Sequence, residues 1–321
     1  MTLTRREHLA FLGALTAGGA QAQAGDFPRQ PLRIFVPATP GGTVDTTARL
    51  LADGLSTHLK QPVVVENRPG GNGVIAADGV AKARADGYTL LMGNSGLSAL
   101  PLLQRNLPFQ QRDLQPVAIG LFTPFVLFAG PKSEASSVEK LVAYAKANPG
   151  KLTAGAGDGT TLFAAELFKA AAGGLQVVQA NYRGGPQMIQ DIAGGQVDFG
   201  FLGATAVMPL AKAGRLKVLG VASANRLAIA PEIPTLAEQG VRGVLMEPWG
   251  GLIVPRGTDP AIVRLLEQAM EATVRSEAFT RKVNEIGSIP KFLGTQAATE
   301  YIEKEAKALE QVAAQAGIKP E

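Results

Sequence analysis

The stretch Leu32-Arg33-Ile34-Phe35-Val36-Pro37, followed by Pro40-Gly41-Gly42-Thr43 and by a helical pattern over residues 44–59, decides the fold of this chain. The first segment is a short apolar run, which favours a buried strand, and apolar residues recur at helical spacing in the last. Glycine has no Cβ, so the turn between them lets the backbone approach a ligand closely. A helix that begins there presents unpaired N–H groups and a partial positive charge. The stretch therefore predicts a strand, a turn and a helix with an anion site at the turn.

The same unit recurs later in the chain. The turns Gly157-Asp158-Gly159-Thr160-Thr161 and Arg183-Gly184-Gly185-Pro186 also stand between a strand pattern and a helix pattern. Strand and helix patterns alternate over residues 32–93 and again over 125–221, which predicts parallel sheets covered by helices. Ligands of open α/β sheets bind at the carboxyl ends of strands. We therefore predict an α/β protein with two lobes and a ligand cleft between them.

The composition excludes several kinds of site. The chain has no cysteine and only two histidines, which excludes Cys nucleophiles, Cys-based zinc or iron–sulfur sites and a His-rich metal centre. Its 31 Lys and Arg against 27 Asp and Glu give a net charge of +4, too small and too dispersed for a nucleic-acid surface. We predict no metal, no cofactor and no nucleic-acid partner. A hydrophobic content of 46% suffices for two cores.

The N-terminus has the pattern of an export signal. A charged segment, Thr4-Arg5-Arg6-Glu7-His8-Leu9, precedes an apolar stretch over residues 9–20 and the small residues of Ala22-Gln23-Ala24. The apolar stretch is shorter than the roughly 20 residues that span a bilayer. Residues 1–24 are therefore predicted to be a signal peptide that directs a soluble protein to the periplasm. Twin-arginine and general secretory export remain alternatives, because His8 stands where the twin-arginine signal prefers Phe.

An ordered set of motifs resembles the Bug family, the periplasmic solute-binding receptors of tripartite tricarboxylate transporters. The matching segments are Val36-Pro37, 40–49, 61–70, 85–91, 159–168, 182–186, 234–240, Trp249 and 254–258. The resemblance implies a two-lobed periplasmic-binding-protein fold of type II, a Venus flytrap with two strands crossing at the hinge. It also implies that a small carboxylate, either an organic acid or an acidic amino acid, is held between the first glycine turn and a loop of the second lobe. Integral membrane transporter components are the implied partner.

On this basis we predict a monomeric receptor without catalytic residues. Residues 25–125 and 243–321 are expected to form one lobe and residues 126–242 the other. A ligand-sensing adaptor for a membrane signalling protein would need the same cleft and stays an alternative. A hydrolase built on Ser95 or Thr160 would lack a general base, because Leu162 stands where the family commonly has His. The sequence around Ser95 also lacks the G-x-S-x-G pattern.

The first glycine turn is the main candidate for contact with a carboxylate. We expect backbone N–H groups from Gly42 to Asp45 to donate, and the Asp45 side chain either to fix the loop or to meet an amine. The alternative is a plain helix start with Thr43 as its N-cap. Asn94 and Ser95 follow another strand pattern and are candidates against a plain turn. The candidates from this half of the chain are Thr39, Pro40, Gly41, Gly42, Thr43, Val44, Asp45, Asn94 and Ser95.

The other turns supply the remaining candidates. Thr160 or Thr161 could bond a carboxylate or simply cap a helix, and Asp158 either points to solvent or meets a cationic group, because it would repel a carboxylate. Arg183 either lies on the surface or pairs with a second carboxylate. Trp249 is either a ligand wall or a hinge or core residue. The candidates are Gly157, Asp158, Gly159, Thr160, Thr161, Tyr182, Arg183, Gly184, Gly185, Gly203, Thr205 and Trp249.

Overall fold

The computed structural model describes residues 27–320, so the predicted signal peptide at 1–24 lies outside the described residues. Two β-sheets organise the chain, and each sheet with its helices is called a lobe here. The sheet of lobe 1 contains β1 (Leu32–Val36), β2 (Val63–Asn67), β3 (Thr89–Asn94), β4 (Leu114–Phe122), β10 (Trp249–Pro255) and β11 (Ile289–Leu293). The sheet of lobe 2 contains β5 (Phe125–Ala129), β6 (Thr153–Ala156), β7 (Val178–Asn181), β8 (Phe199–Gly203) and β9 (Lys217–Val221).

Ten α-helices, numbered in chain order, cover these sheets in the described part of the chain. Lobe 1 has α1 (Thr43–Leu59), α2 (Val74–Ala81), α3 (Ser95–Leu103), α8 (Pro260–Arg275), α9 (Glu277–Glu285) and α10 (Thr295–Ala316). Lobe 2 has α4 (Val138–Ala147), α5 (Gly159–Ala171), α6 (Gly185–Gly194) and α7 (Ala204–Lys212). Within residues 27–320, no helix combines the length and the apolar composition that crossing a bilayer requires.

The strand order places the glycine turns at matching edges of the two sheets. In lobe 1 the order is β11-β4-β10-β3-β1-β2, and β1 pairs in parallel with both β2 and β3. In lobe 2 the order is β7-β6-β8-β5-β9, and β6 pairs in parallel with both β7 and β8. Parallel strands end at the same edge of a sheet. The turns after β1 and β3 therefore lie together in lobe 1, and those after β6, β7 and β8 lie together in lobe 2.

The chain crosses between the lobes in two hydrogen-bonded segments, one between β4 and β5 and one that leads into β10. The N–H of Thr123 donates to the carbonyl of Pro248 at 2.8 Å, and the N–H of Phe125 donates to the carbonyl of Met246 at 2.8 Å. The antiparallel pairing of β4 with β10 thus continues into lobe 2. The predicted two-lobed α/β architecture with two crossing strands is confirmed.

Each lobe has a core of its own. In lobe 1 the apolar stripe of α1, with Leu51 and Leu55 fully buried, packs with Leu266 and Met270 of α8. In lobe 2 the ring of Phe168 on α5 lies 5.9 Å from that of Phe199 and 5.5 Å from that of Phe201, measured between ring centroids. Helices therefore cover each sheet through the periodic apolar positions that the sequence displays.

Replacing Phe168 by Ala should lower the free energy of unfolding by about 3–5 kcal/mol, because the ring is fully buried and its removal leaves a cavity. Chemical denaturation followed by circular dichroism measures this change. The control is Tyr144→Ala on α4, where 46% of the side chain is exposed and a change within about 0.5 kcal/mol is expected. Equal effects of both substitutions would contradict the placement of Phe168 in the core.

Candidate functional site

A cavity of about 760 Å³ lies between the lobes and is lined by residues from both. Its size is in the range that holds a small metabolite. The structure brings many of the predicted site residues to its wall. These are Thr39, Pro40, Gly42, Thr43, Val44, Asn94, Ser95, Gly157, Asp158, Thr160, Tyr182, Arg183, Gly184, Gly185 and Trp249.

Glycines let the lobes approach each other beside this cavity. A Cβ on Gly184 of lobe 2 would lie 3.0 Å from Oγ1 of Thr39 in lobe 1. A Cβ on Gly203 would lie 2.6 Å from Oγ1 of Thr43. Any side chain at Gly203 would force the two lobes apart or displace Thr43, so this residue sets the closeness of the lobes.

The helix α1 begins at the cavity with an open N-terminus. Gly42 is its N-cap and offers no side chain to the first N–H groups of the helix. Within the described chain, the N–H groups of Gly42, Thr43, Val44 and Asp45 donate to no protein acceptor, and the first helical bond runs from Thr46 to the carbonyl of Gly42. Unpaired N–H groups and the helix dipole together attract an anion. This end of α1 therefore has the features of an anion site.

The carboxylate of Asp45 stabilises this open turn through hydrogen bonds to neighbouring groups. Its Oδ2 accepts the N–H of Gly41 at 2.9 Å, and its Oδ1 accepts from Nη2 of Arg49 and Nδ2 of Asn67, each at 2.8 Å. Nδ2 of Asn67 also donates to the carbonyl of Ala38 at 3.0 Å. Burial raises the pKa of Asp45, but these hydrogen bonds outweigh it and the pKa lies below its usual value. Of the two roles predicted for Asp45, the structure has the one that fixes the loop.

The second glycine turn differs, because its own side chains occupy the start of α5. Oδ1 of Asp158 accepts from the N–H of Thr161 at 2.9 Å and from Oγ1 of Thr160 at 2.8 Å. Oγ1 of Thr161 accepts the N–H groups of Gly157 at 2.8 Å and Asp158 at 2.9 Å. This reciprocal arrangement is a capping box. Most of the amides that the sequence offered to a ligand are therefore used within the turn.

The third turn is open again. Gly184 is the N-cap of α6 and makes no side-chain bond, and Arg183 lies exposed at the cavity wall. Arg183 forms no ion pair with any described residue, so its guanidinium is available to a ligand. The hydroxyl of Tyr182 donates to Oδ2 of Asp191 at 2.8 Å, and burial together with this bond raises its pKa. Tyr182 therefore offers its ring rather than its hydroxyl to the cavity.

Ser95 and Trp249 form part of the wall, and both are held by Glu305 of α10. Oγ of Ser95 donates to Oε1 of Glu305 at 2.5 Å, while Oγ of Ser98 and Nε1 of Trp249 each donate to Oε2 at 2.8 Å. Burial raises the pKa of Glu305, and the bonds from Ser95, Trp249 and Ser98 offset this only in part. Asn94 caps α3 by accepting the N–H of Gly96 at 2.7 Å. The Ser95 hydroxyl is thus engaged in a hydrogen bond to Glu305 within the protein.

Glu305, which supports the wall residues Ser95 and Trp249, was not identified by the sequence analysis. It lies on the stripe of α10 that includes Ala298, Ile302, Leu309 and Ala313, all buried or packed against the core. An acidic residue within an apolar stripe at helical spacing is the signal that could have found it. The loop over residues 69–73 also lines the cavity without having been predicted to do so. Its signal was a glycine-rich segment after β2, at the same sheet edge as the first turn.

Six predicted site residues do not line the cavity. The side chains of Asp45 and Thr161 form hydrogen bonds within the turns. Gly41 lies exposed in a turn with φ of +82°, and Gly159 packs against Leu103. Gly203 contacts Thr43 and Thr123. Thr205 is buried, and its Oγ1 lies 3.0 Å from Oγ of Ser288. These residues shape the walls or join the lobes.

Glu305→Gln should become increasingly stable relative to the wild type as the pH rises through and above the ordinary pKa of Glu, about 4.3. The raised pKa means that the folded state disfavours ionised Glu305, so the wild type loses stability once the pH exceeds the pKa of the unfolded chain. Gln cannot ionise and avoids this loss. Thermal melting across that pH range measures the difference, with the exposed neighbour Glu303→Gln as the control. A constant difference between Glu305→Gln and wild type would contradict the assignment.

Comparison with known proteins identifies the family of this chain. The model of the tripartite tricarboxylate transporter family receptor matches residues 47–318. BugT of Bordetella pertussis is 34% identical over 300 residues, which cover 90% of each chain. The R. palustris protein Rpa4515, solved with adipate, is 36% identical with a TM-score of 0.89 over 92% of this chain and 100% of that one. A solved periplasmic transporter is 30% identical with a TM-score of 0.87 over 92% and 99%. These matches confirm the predicted type II periplasmic-binding-protein fold. The chain belongs to the tripartite tricarboxylate transporter receptor family, and it is a solute-binding receptor.

Proposed function

We propose that this protein captures a small carboxylate-bearing metabolite in the periplasm and presents it to the membrane components of a tripartite tricarboxylate-type transporter. The observation that carries this proposal is the open N-terminus of α1 on the wall of the cavity between the lobes. Adipate in the solved relative Rpa4515 supports a carboxylate as the ligand. We place the lobe boundaries as the sequence suggested, with 25–125 and 243–321 in lobe 1 and 126–242 in lobe 2.

In this proposal the ligand carboxylate accepts hydrogen bonds from the N–H groups between Gly42 and Asp45. Each hydrogen bond to a charged group contributes about 1.5–3 kcal/mol, and micromolar binding needs about 8 kcal/mol. Several such bonds together with the exclusion of water by both lobes reach that value. The open start of α6 and the guanidinium of Arg183 hold a second polar group from the side of lobe 2.

The proposal is one of binding without catalysis. Ser95 donates to Glu305 and Thr160 donates to Asp158, so both candidate nucleophiles are engaged. In the described residues the one histidine, His58, lies exposed on α1 away from the cavity lining. No histidine lies among the described residues that line the cavity, so neither hydroxyl has the imidazole base that activates serine in the common hydrolases. Ligand retention and release are therefore the whole chemistry of the site.

A panel of carboxylates tests the proposal directly. Mono-, di- and tricarboxylates, aromatic acids and acidic amino acids are titrated into the mature protein, and the melting temperature and Trp249 fluorescence are recorded. Trp249 is the single tryptophan of the chain and lines the cavity, so its emission should respond to an occupied site. At least one carboxylate is expected to raise the melting temperature. If no compound of the panel changes either signal, the proposal is wrong.

Thr43→Pro should weaken carboxylate binding roughly 10- to 100-fold, because it removes one donor N–H from the open start of α1. Proline is favoured at the first position of a helix, and the preceding Gly42 is extended with ψ of 174°, so the backbone can accept it. The matched control is Thr43→Ala, which removes the same hydroxyl but keeps the N–H group. Isothermal titration calorimetry compares the two variants. Equal affinities would show that the N–H of Thr43 does not hold the ligand.

A further inference from the structure

We propose that Asp158 is a specificity-determining residue that favours ligands carrying an ammonium group in addition to their carboxylate. In this inference, which rests on the proposed function, the site takes an aminocarboxylate in preference to the same carboxylate without the amine. Asp158 does so by placing a negative charge on one wall of the cavity, while the starts of α1 and α6 and the side chain of Arg183 give other parts of the wall a positive character.

The charges of the cavity wall are few and distinct. Among the residues that line it, Asp158 is the one acid and Arg183 the one base. Asp158 is half-buried, and only its Oδ1 has hydrogen-bond partners in residues 27–320. Its Oδ2 accepts no bond from the described residues, and neither Asp158 nor Arg183 forms an ion pair with them. Asp158 therefore contributes to the cavity wall a negative charge and one oxygen, Oδ2, that has no described hydrogen-bond donor.

The state of the helix ends gives this acid its effect. The starts of α1 and α6 have glycine N-caps without side-chain bonds and keep their positive character. The start of α5 is capped by the carboxylate of Asp158 itself, which compensates the dipole there. A ligand anion is thus attracted to the α1 and α6 walls and is repelled from the α5 wall. The α5 wall, which repels an anion, instead stabilises a hydrogen-bond donor or a cation on the ligand.

The choice between an ammonium group and a second carboxylate at this wall follows from the charge of Asp158. A carboxylate placed there would face a like charge in a site from which closure removes water. An ammonium group would instead form a charge-assisted hydrogen bond with the unused oxygen. A bond of this kind corresponds to a difference in affinity of roughly tenfold or more.

Asp158→Asn tests the inference because it keeps the helix cap and removes the charge. Asn and Asp are equally good N-caps, so the bonds from Thr161 and Thr160 can persist and α5 should stay intact. The probes are glutarate and glutamate, which differ by the amino group alone, and adipate and 2-aminoadipate form a second pair. Calorimetric affinities are measured for wild type, for Asp158→Asn and for Glu232→Gln, an exposed position of lobe 2 with the same change in charge.

The wild type and Glu232→Gln should prefer the amino compound of at least one pair by roughly tenfold or more. Asp158→Asn should reduce or reverse this ratio by a similar factor, with an unchanged melting temperature of the free protein. The inference is overturned if carboxylates bind and the ratio is the same in wild type and Asp158→Asn, or if wild type prefers the compounds without the amine. If neither probe pair nor any other carboxylate binds any of the three proteins, the proposed function itself fails.

Discussion

The candidate binding site of this protein depends on the open N-terminus of α1. The first N–H groups of α1 have no acceptor in the described chain, and a polar group left unpaired away from water costs about 1–3 kcal/mol. Two features keep this helix start open. The N-cap Gly42 has no side chain to accept the first N–H groups, and the carboxylate of Asp45 binds Gly41, Arg49 and Asn67 instead. The open donors therefore face a cavity in which water or a ligand must satisfy them.

Much of the fold was predictable because strand and helix patterns alternate with clear glycine turns. Some elements contain a proline, which indicates a break in a local pattern. β4 contains Pro116, which ordinarily argues against a central strand, yet it lies where the pairing with β10 shifts register. Helices α3 and α7 contain Pro101 and Pro209 in their interiors. Tertiary contacts with the neighbouring elements compensate for these breaks, and a local pattern does not contain such contacts.

The candidate site was predictable as a set of converging turns but not in the role of each side chain. Parallel strands bring the turns together by topology, so the sequence sufficed to place Thr43, Asp158 and Gly184 near one cavity. Whether the start of α5 is capped or open depends on the side-chain rotamers of Asp158 and Thr161. Thr161 and Asp158 cap the start of α5 through hydrogen bonds within the turn. In the sequence alone, the same residues are equally compatible with binding a ligand. The apolar stripe of α10 marks Glu305 as an acid that faces the core, but its partners could not be predicted because Ser95 and Trp249 are far from it in sequence.

Contacts between the lobes outside the cavity stabilise its closure in addition to any contacts with the ligand. Phe163 of α5 in lobe 2 is fully buried in a cluster with Ala99 of α3 and with Leu309 and Ala313 of α10, all in lobe 1. None of these residues lines the cavity. Full burial of such a side chain contributes about 1.5–3 kcal/mol, which is comparable to one charged hydrogen bond. Since this contribution does not depend on what occupies the cavity, it favours closure around every ligand equally. Discrimination among ligands must then come from the polar groups of the wall, among them the two open helix ends, Arg183 and Asp158.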